Sequence, residues 1–272
     1  SSLNSQNISS LIEFLRLKGY EVEAIDVNGE WTEMIEKDDV ASFILGTKAK
    51  TLKRLQSMVS FSEIKDQISF TNEEWCNDNE KIIAKIHDLF GKEKKLIIRS
   101  SSQNEDGFNF ANAGKYESIL NVLPQKLNLI KSINKVINSF GTEINENDEI
   151  LIQEMLNDVI ISGVAFTRTL KNGSPWFVIN YIEGEDTTLI TSGKSKEHKT
   201  CIVKRNADLN SIKSRWIKKL LESLKEIENL LAYDTLDIEF AINSKFKVFI
   251  LQVRPLTKSS EKKYKDEEYY EK

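Results

Sequence analysis

Asp237-Ile238-Glu239-Phe240-Ala241-Ile242, followed after a short polar break by Phe249-Ile250-Leu251-Gln252-Val253-Arg254-Pro255, is the most informative stretch of the 272-residue chain. Both segments are rich in β-branched and aromatic residues, and Asn243-Ser244 between them supplies a turn, so together they read as a hairpin. Side chains alternate across a strand. Asp237 and Glu239 therefore share one face, with Ile238 and Phe240 on the other, and Gln252 and Arg254 share a face of the returning strand. A turn near Asn243 to Phe246 brings 237–239 opposite roughly 250–253. Two carboxylates, an amide oxygen and a guanidinium then gather on one patch of sheet. Such oxygens suit Mg²⁺, which takes few protein ligands and completes its shell with water and substrate phosphates. The neighbouring Arg would neutralise a phosphoryl group in transfer. A solvated polar face with a cross-strand ion pair fits the same spacing.

The rest of the composition narrows the field. With 38 Lys+Arg against 42 Asp+Glu, the chain lacks the basic footprint of a nucleic-acid binder. No apolar run is long enough for a membrane-spanning helix, so no membrane partner is expected. Cys76 and Cys201 are too few for a disulfide framework, and no leader-like segment opens the sequence, which fits a bacterial cytoplasm. Arginine is scarce, with seven among the 38 basic residues. Only Arg offers a planar fork that grips phosphate or carboxylate in two places, so each one here is expected to have a specific task. Arg99, Arg168 and Arg254 stand at strand ends.

Along the chain, Asn7 to Lys18 reads as an amphipathic helix and Glu21 to Val27 as a strand. Lys48 to Leu55 is a short helix. Thr71-Asn72 caps one helix running to Phe90 and closed by Gly91. Leu96 to Ile98 is a buried strand, and a helix runs from Pro124 to Phe140. Glu149 to Glu154, Gly163 to Arg168 and Trp176 to Asn180 are strands, and Ile212 to Leu231 is a long helix. The class is α+β, with an α/β first half and a mostly antiparallel second half. The expected organisation is one lobe over 1–155, a second over 156–257 and a tail over 258–272.

Three further segments can carry chemistry. Arg99-Ser100-Ser101-Ser102 begins a polar loop whose hydroxyls and amides can cradle phosphate, Ser101 among them, although the loop lacks the P-loop spacing. Gly46-Thr47-Lys48 sets an ammonium at a helix start, which suits an anion. Gln153-Glu154-Met155 ends an apolar strand and can line a nucleobase pocket, or can be core strand leading into a hairpin. Glu185 lies in an acidic turn and is a secondary candidate for a ribose or metal contact. His87 and His198 read as surface residues.

Taken in order, these segments resemble a known family. Gly46-Thr47-Lys48 is similar to the Gly-Gly-Lys opening motif of phosphoenolpyruvate synthase and pyruvate phosphate dikinase. Arg99-Ser100-Ser101 through Glu105-Asp106, with Ala113-Gly114 and Leu120-Asn121-Val122, resembles their Arg-Ser-Ser segment. Ser162 to Arg168 resembles their Gly-Val-Ala-Phe-Thr-Arg hairpin, and Asp237 to Phe240 with Leu251 to Pro255 resembles their closing signature. The resemblance implies an ATP-grasp domain with ATP and Mg²⁺ between two lobes. It implies Lys48 and Arg99 on phosphates, Glu239 and Gln252 on Mg²⁺, and Arg254 stabilising transfer. Asp237, on the same face, completes the candidate metal set.

The resemblance also implies partners. ATP, ADP or AMP would bind, and a swivelling histidine domain and an acceptor-substrate domain of the same polypeptide would follow. The long N-terminal region and Thr191 to Lys194 are similar to the branch that phosphorylates the L-glutamine amide nitrogen in capsular phosphoramidate synthesis, giving AMP and phosphate. Three departures stand out: Gly-Thr-Lys for Gly-Gly-Lys, a missing Pro-rich segment near Phe61 to Trp75, and Ile182-Glu183-Gly184-Glu185 for Gly-Leu-Gly-Glu. The alternatives are a pyruvate dikinase domain, an ATP-grasp carboxylate ligase yielding ADP, or a non-catalytic nucleotide sensor. With neither histidine in a carrier motif, the chain is expected to bind nucleotide without completing turnover alone.

Overall fold

The computed structural model describes residues 17–18, 39–102, 117–141, 148–184 and 198–256. The expected helix over Asn7 to Lys18 and strand over Glu21 to Val27 lie outside these residues, apart from Leu17 and Lys18. The loop after Ser102, the stretch from Glu185 to Glu197 and the tail also lie outside them.

Two sheets organise the chain. The first contains β1 (Gln67–Thr71), β2 (Leu96–Ser101), β3 (Ser118–Val122) and β4 (Glu149–Glu154), in the order β1-β4-β2-β3. The second contains β5 (Val159–Phe166), β6 (Trp176–Glu183), β7 (Lys199–Lys204), β8 (Leu236–Asn243) and β9 (Val248–Pro255), in the order β7-β6-β5-β8-β9. The class is α+β. The α/β character expected of the first half lies in its alternation of helices and strands; the strands themselves pair antiparallel throughout. The sheets change over between Glu154 and Val159. β1, β3 and β7 are short or half-exposed edge or flanking strands, with little of the apolar run that marked β2 and β4 in the sequence.

Six helices are described: α1 (Asp39–Ile44), α2 (Lys48–Gln56), α3 (Asn72–Asn77), α4 (Asn79–Phe90), α5 (Lys126–Ser139) and α6 (Arg215–Leu231). The single helix expected from Thr71 to Phe90 is two. Thr71 caps α3 in a capping box with Glu74, but Asp78 leaves the helical region and caps α4 by accepting from the Lys81 amide. Asn77-Asp78-Asn79 favours this break, since Asn and Asp side chains compete with the helical backbone for hydrogen bonds. Gly91 closes α4 at φ +74°, as its sequence position suggested. His87 is half-buried and tied to the Pro124 carbonyl at 2.6 Å, where a surface position was expected.

Helices α4 and α5 close a core on the first sheet, built from Phe70, Ile86, Leu96, Ile98, Ile133 and Ile152. Helix α6 closes a second core with Phe177, Ile238, Phe240, Leu220 and Leu224. Helix α2 packs against both sheets. It packs on β9 as well as on β1 and β4, and its Leu52 and Leu55 are fully buried in the second core beside Leu151 of β4. The segment that precedes the first sheet in sequence thus fixes the distance between the sheets.

Gly163 sits mid-β5, paired with Tyr181 of β6 and Phe240 of β8. A Cβ there would collide with the Asn180 carbonyl oxygen and lie 2.8 Å from the Phe240 ring. Backbone cannot step aside as a flexible side chain can, so Gly163→Ala is expected to cost about 3 kcal/mol, read as a lower urea midpoint at unchanged m-value.

Candidate active site

The β8–β9 hairpin brings its polar residues to one patch as the sequence suggested, but with 237–239 opposite 252–254 rather than roughly 250–253, because a bulge shifts the ladder. Asp237 lies opposite Arg254 and Glu239 opposite Gln252. The turn is built by Asn243, whose side-chain oxygen accepts from the Lys245 and Lys247 amides. The ladder shifts between Glu239 and Phe240, leaving Leu251 without a partner across the hairpin. Such a bulge frees a backbone carbonyl. Arg99 of β2 takes it, donating from Nη1 to the Leu251 oxygen at 3.1 Å. The same guanidinium donates from Nη2 to Glu239 Oε2 at 3.0 Å. One side chain of the first sheet therefore grips both strands of the β8–β9 hairpin. Arg254 pairs with Asp237 Oδ2 through Nε at 2.8 Å and Nη2 at 2.7 Å.

The two carboxyls on this face titrate in opposite directions. Burial pushes Glu239 upward, but the Arg99, Lys48 and Arg254 charges together outweigh it and hold the group below the usual carboxylate range. Burial dominates at Asp237 and raises it, with the adjacent Glu239 charge adding to the rise and Arg254 opposing it. Three cations, Lys48, Arg99 and Arg254, thus meet two carboxyls. That surplus of positive charge suits a polyphosphate. Two buried atoms here have no hydrogen-bond partner among the described residues: Asp237 Oδ1 and Arg99 Nε.

These donors fit Mg²⁺. Asp237 offers an orphaned oxygen, Glu239 an ionised carboxylate and Gln252 an amide oxygen across the ladder, all hard oxygen ligands. Among the described residues no group of three or more His, Cys, Asp or Glu could hold a metal by itself. A small ligand set is what Mg²⁺ uses when phosphates share its coordination.

The Gly46-Thr47-Lys48 helix start is placed differently from its sequence reading. It seemed open to an anion, but two of its amides are already taken by protein groups. Ala49 N–H donates to Ser101 Oγ at 2.8 Å, and Lys50 N–H to Thr47 Oγ1 at 3.3 Å. Ser101, expected to cradle phosphate, is fully buried and serves as this cap. The motif's contribution to the charged cluster is the buried Lys48 side chain, whose charge acts on Glu239.

Gln153, Glu154 and Met155 stand at the other end of β4. Arg99 faces Leu151 and Leu96 faces Glu154, so the segment sits about 10 Å along the sheet from the cluster. Gln153 donates to the Lys65 carbonyl, Glu154 pairs with Lys94 at 3.1 Å, and the Met155 amide donates to Lys95 O at 2.9 Å. That amide is thus committed within the sheet. Glu154 instead borders an open hollow of about 360 Å³ with Gln56, Lys65 and Phe90. Leu156, which ends the same stretch, packs against the buried cluster of Val159, Ala241 and Phe249 beside the bulge. Glu185 lies outside the described residues.

A second charged network holds the hairpin's entry. Thr167, fully buried, exchanges hydrogen bonds with both backbone groups of Leu236, the residue before Asp237. Its own carbonyl accepts from Arg205, which grips Glu228 in two places at 2.5 and 3.0 Å. Arg168 donates to Asp234 at 2.5 Å. Burial pushes Glu228 up to about 7 against the pull of Arg205. Arg168 and Arg205 thus serve architecture, while Arg99 and Arg254 face the candidate site.

Comparison with known proteins bears out the family resemblance. A family model described as the AMP/ATP-binding domain of pyruvate phosphate dikinase matches residues 34–188 and 174–272. The chain belongs to that family, and its two-sheet architecture is the ATP-grasp fold. No curated protein matches it in sequence. Similar solved structures include the D-alanine–D-alanine ligase of Coxiella burnetii, at 10% identity and TM-score 0.46 over 79% of this chain and 49% of that one. Another is D-alanyl-alanine synthetase A of Vibrio cholerae, at 13% identity and TM-score 0.47 over 79% of this chain and 56% of that one. A third is an L-amino acid ligase of Bacillus licheniformis, at 11% identity and TM-score 0.46 over 79% and 44%. The chain spans about half the length of these structures.

The Arg99–Glu239 pair is expected to couple energetically across the sheets. Arg99→Met should destabilise the protein by about 3 kcal/mol, because it strips the nearest partner from a buried carboxylate. The Arg99→Met/Glu239→Gln double variant should lose less than the sum, with a coupling of about 1–3 kcal/mol in urea denaturation; strict additivity would deny the contact.

Proposed function

We propose that this chain is the Mg·ATP-binding domain of a multidomain phosphotransferase that phosphorylates a histidine on a separate swivelling domain. The observation that carries this reading is the convergence of Lys48, Arg99 and Arg254 on the Asp237/Glu239 face, where two sheets meet. In this reading Lys48 and Arg99 bind phosphate oxygens from the first-lobe side, and Arg254 stabilises the charge that develops in transfer. Asp237, Glu239 and Gln252 would hold Mg²⁺, which when bound would neutralise phosphate oxygens and orient them. Arg99 Nε, buried and without a partner among the described residues, is a donor suited to a phosphate oxygen.

The finer proposal is an L-glutamine kinase. ATP, glutamine and water would become AMP, phosphate and glutamine phosphorylated on its amide nitrogen, with the histidine as carrier. Support for that member is the similarity of the N-terminal region and of Thr191 to Lys194. A pyruvate acceptor, as in the dikinases, is the competing assignment, and both use the same nucleotide site. The protein would act in the bacterial cytoplasm; among the described residues no helix is long and apolar enough to cross a membrane.

The test is calorimetric titration with ATP, with and without Mg²⁺, on the wild type and on Glu239→Ala. The variant is expected to weaken Mg·ATP by about tenfold or more, which is about 1.4 kcal/mol, while metal-free ATP changes less. Equal weakening of both would contradict a metal-ligand role for Glu239.

A further inference from the structure

Glu149 was not among the residues the sequence singled out, and the chemistry described above does not use it. It opens β4, is buried, and its carboxylate is held by two hydroxyls. Thr47 Oγ1 donates to Glu149 Oε2 at 2.7 Å, and Ser69 Oγ donates to Oε1 at 3.3 Å. Thr47 is itself the N-cap of α2 and immediately precedes Lys48. Its hydroxyl therefore does two tasks at once: it accepts from the Lys50 amide and donates to Glu149. A Thr hydroxyl has one proton to give and lone pairs to accept with, so both bonds are compatible.

The surrounding bonds complete a mount for this helix start. Ser101 receives the Ala49 amide at 2.8 Å, and Gln67 donates to the Ala49 carbonyl at 2.7 Å. Ser101 lies directly opposite Glu149 in the β2–β4 ladder, so paired positions of two strands grip the N-cap Thr47 and, two residues on, the Ala49 amide. Gly46 N–H is satisfied by Thr51 Oγ1 at 2.9 Å. The Glu149 carboxylate also lies at the positive end of the α2 dipole, a placement that favours negative charge. The centre of this mount is closed to solvent: Thr47 and Ser101 are fully buried and Glu149 is buried, while Gln67 and Ser69 at its margin are half-buried.

We infer that Thr47 and Glu149 are a positioning pair that fixes the Lys48 ammonium toward the Glu239 cluster. The inference rests on the nucleotide reading proposed above. Thr47 stands at the position where the motif it resembles carries glycine, and a glycine could make neither hydroxyl bond. With the Ala49 and Lys50 amides committed to Ser101 and Thr47, the motif would grip phosphate chiefly through the Lys48 side chain, and its accuracy depends on how rigidly residue 47 is held. Small displacements of a positioning group cost binding and rate out of proportion to their size.

The test compares ATP binding and thermal melting of the wild type, Thr47→Val, Thr47→Ser and Glu149→Gln, all in the presence of Mg²⁺. Thr47→Val keeps the shape and removes the hydroxyl, and is expected to weaken ATP by about fivefold to tenfold. Thr47→Ser keeps the hydroxyl and should bind within about twofold of the wild type. Glu149→Gln should weaken ATP in the same direction as Thr47→Val. A Thr47→Val protein that melts earlier yet binds ATP as the wild type does would reduce the pair to a structural role and overturn the inference. Equal losses in Thr47→Val and Thr47→Ser would overturn it as well, since the hydroxyl would then not be the cause. Should Thr47→Val not fold, an unchanged affinity in Glu149→Gln overturns it and a weakened one upholds it. A wild type that binds no ATP would instead overturn the nucleotide reading, and this inference with it.

Discussion

The Arg99 guanidinium, held between Glu239 and the Leu251 carbonyl, is the constraint on which the rest of the site depends. It spans the two sheets at the point where the β8–β9 ladder slips. Removing two charges from water roughly offsets the attraction between them, so such a pair contributes little net stability compared with an apolar contact. That balance suits a binding site. Arg99 rests on Glu239 and Arg254 on Asp237, and in the proposed reading phosphate oxygens would take over part of that partnership. The opposite shifts of the two carboxyls belong to the same picture. Glu239 stays ionised under three cations, while buried Asp237 keeps one oxygen without a partner.

The site exists only because helix α2 holds the sheets at a fixed spacing. Its apolar side, with Leu52 and Leu55, fills the core of the second sheet, while Ser101 and Gln67 of the first sheet fasten its opening turn. Packing and polar capping on one short helix therefore set the distance between Arg99 and Glu239. At the far end of the hairpin, Thr167, Arg205 and Glu228 fix the residue before Asp237. The candidate face is thus held from both ends by elements that do not themselves belong to it.

Much of this was legible in the sequence. The two-residue period of 237–242 and 249–255, with a polar turn between, determines which side chains share a face, and the register follows from the turn as far as the bulge. The scarcity of arginine marked residues with specific tasks, but not which task. Arg54 donates to the Phe43 carbonyl and Arg205 to Glu228, both architectural, and nothing local separates them from Arg99. What could not be read were contacts that tertiary packing makes. Ser101 meets the Ala49 amide and Arg99 meets Glu239 across long stretches of chain. Asp78 splits a helix because its own side chain caps better than it continues, and the Met155 amide is lost to Lys95, a partner invisible until β2 and β4 pair.

The most direct measurement is calorimetric titration of the wild type and Arg254→Ala with ATP, ADP and GTP in the presence of Mg²⁺. The account predicts a preference for adenine nucleotides in the wild type. It also predicts a loss of about tenfold or more for ATP in the variant, because Arg254 stands beside the carboxyls that would carry the metal and the phosphates. ATP bound equally tightly by both proteins would contradict it: the charged hairpin would then be architecture, and the nucleotide would lie elsewhere.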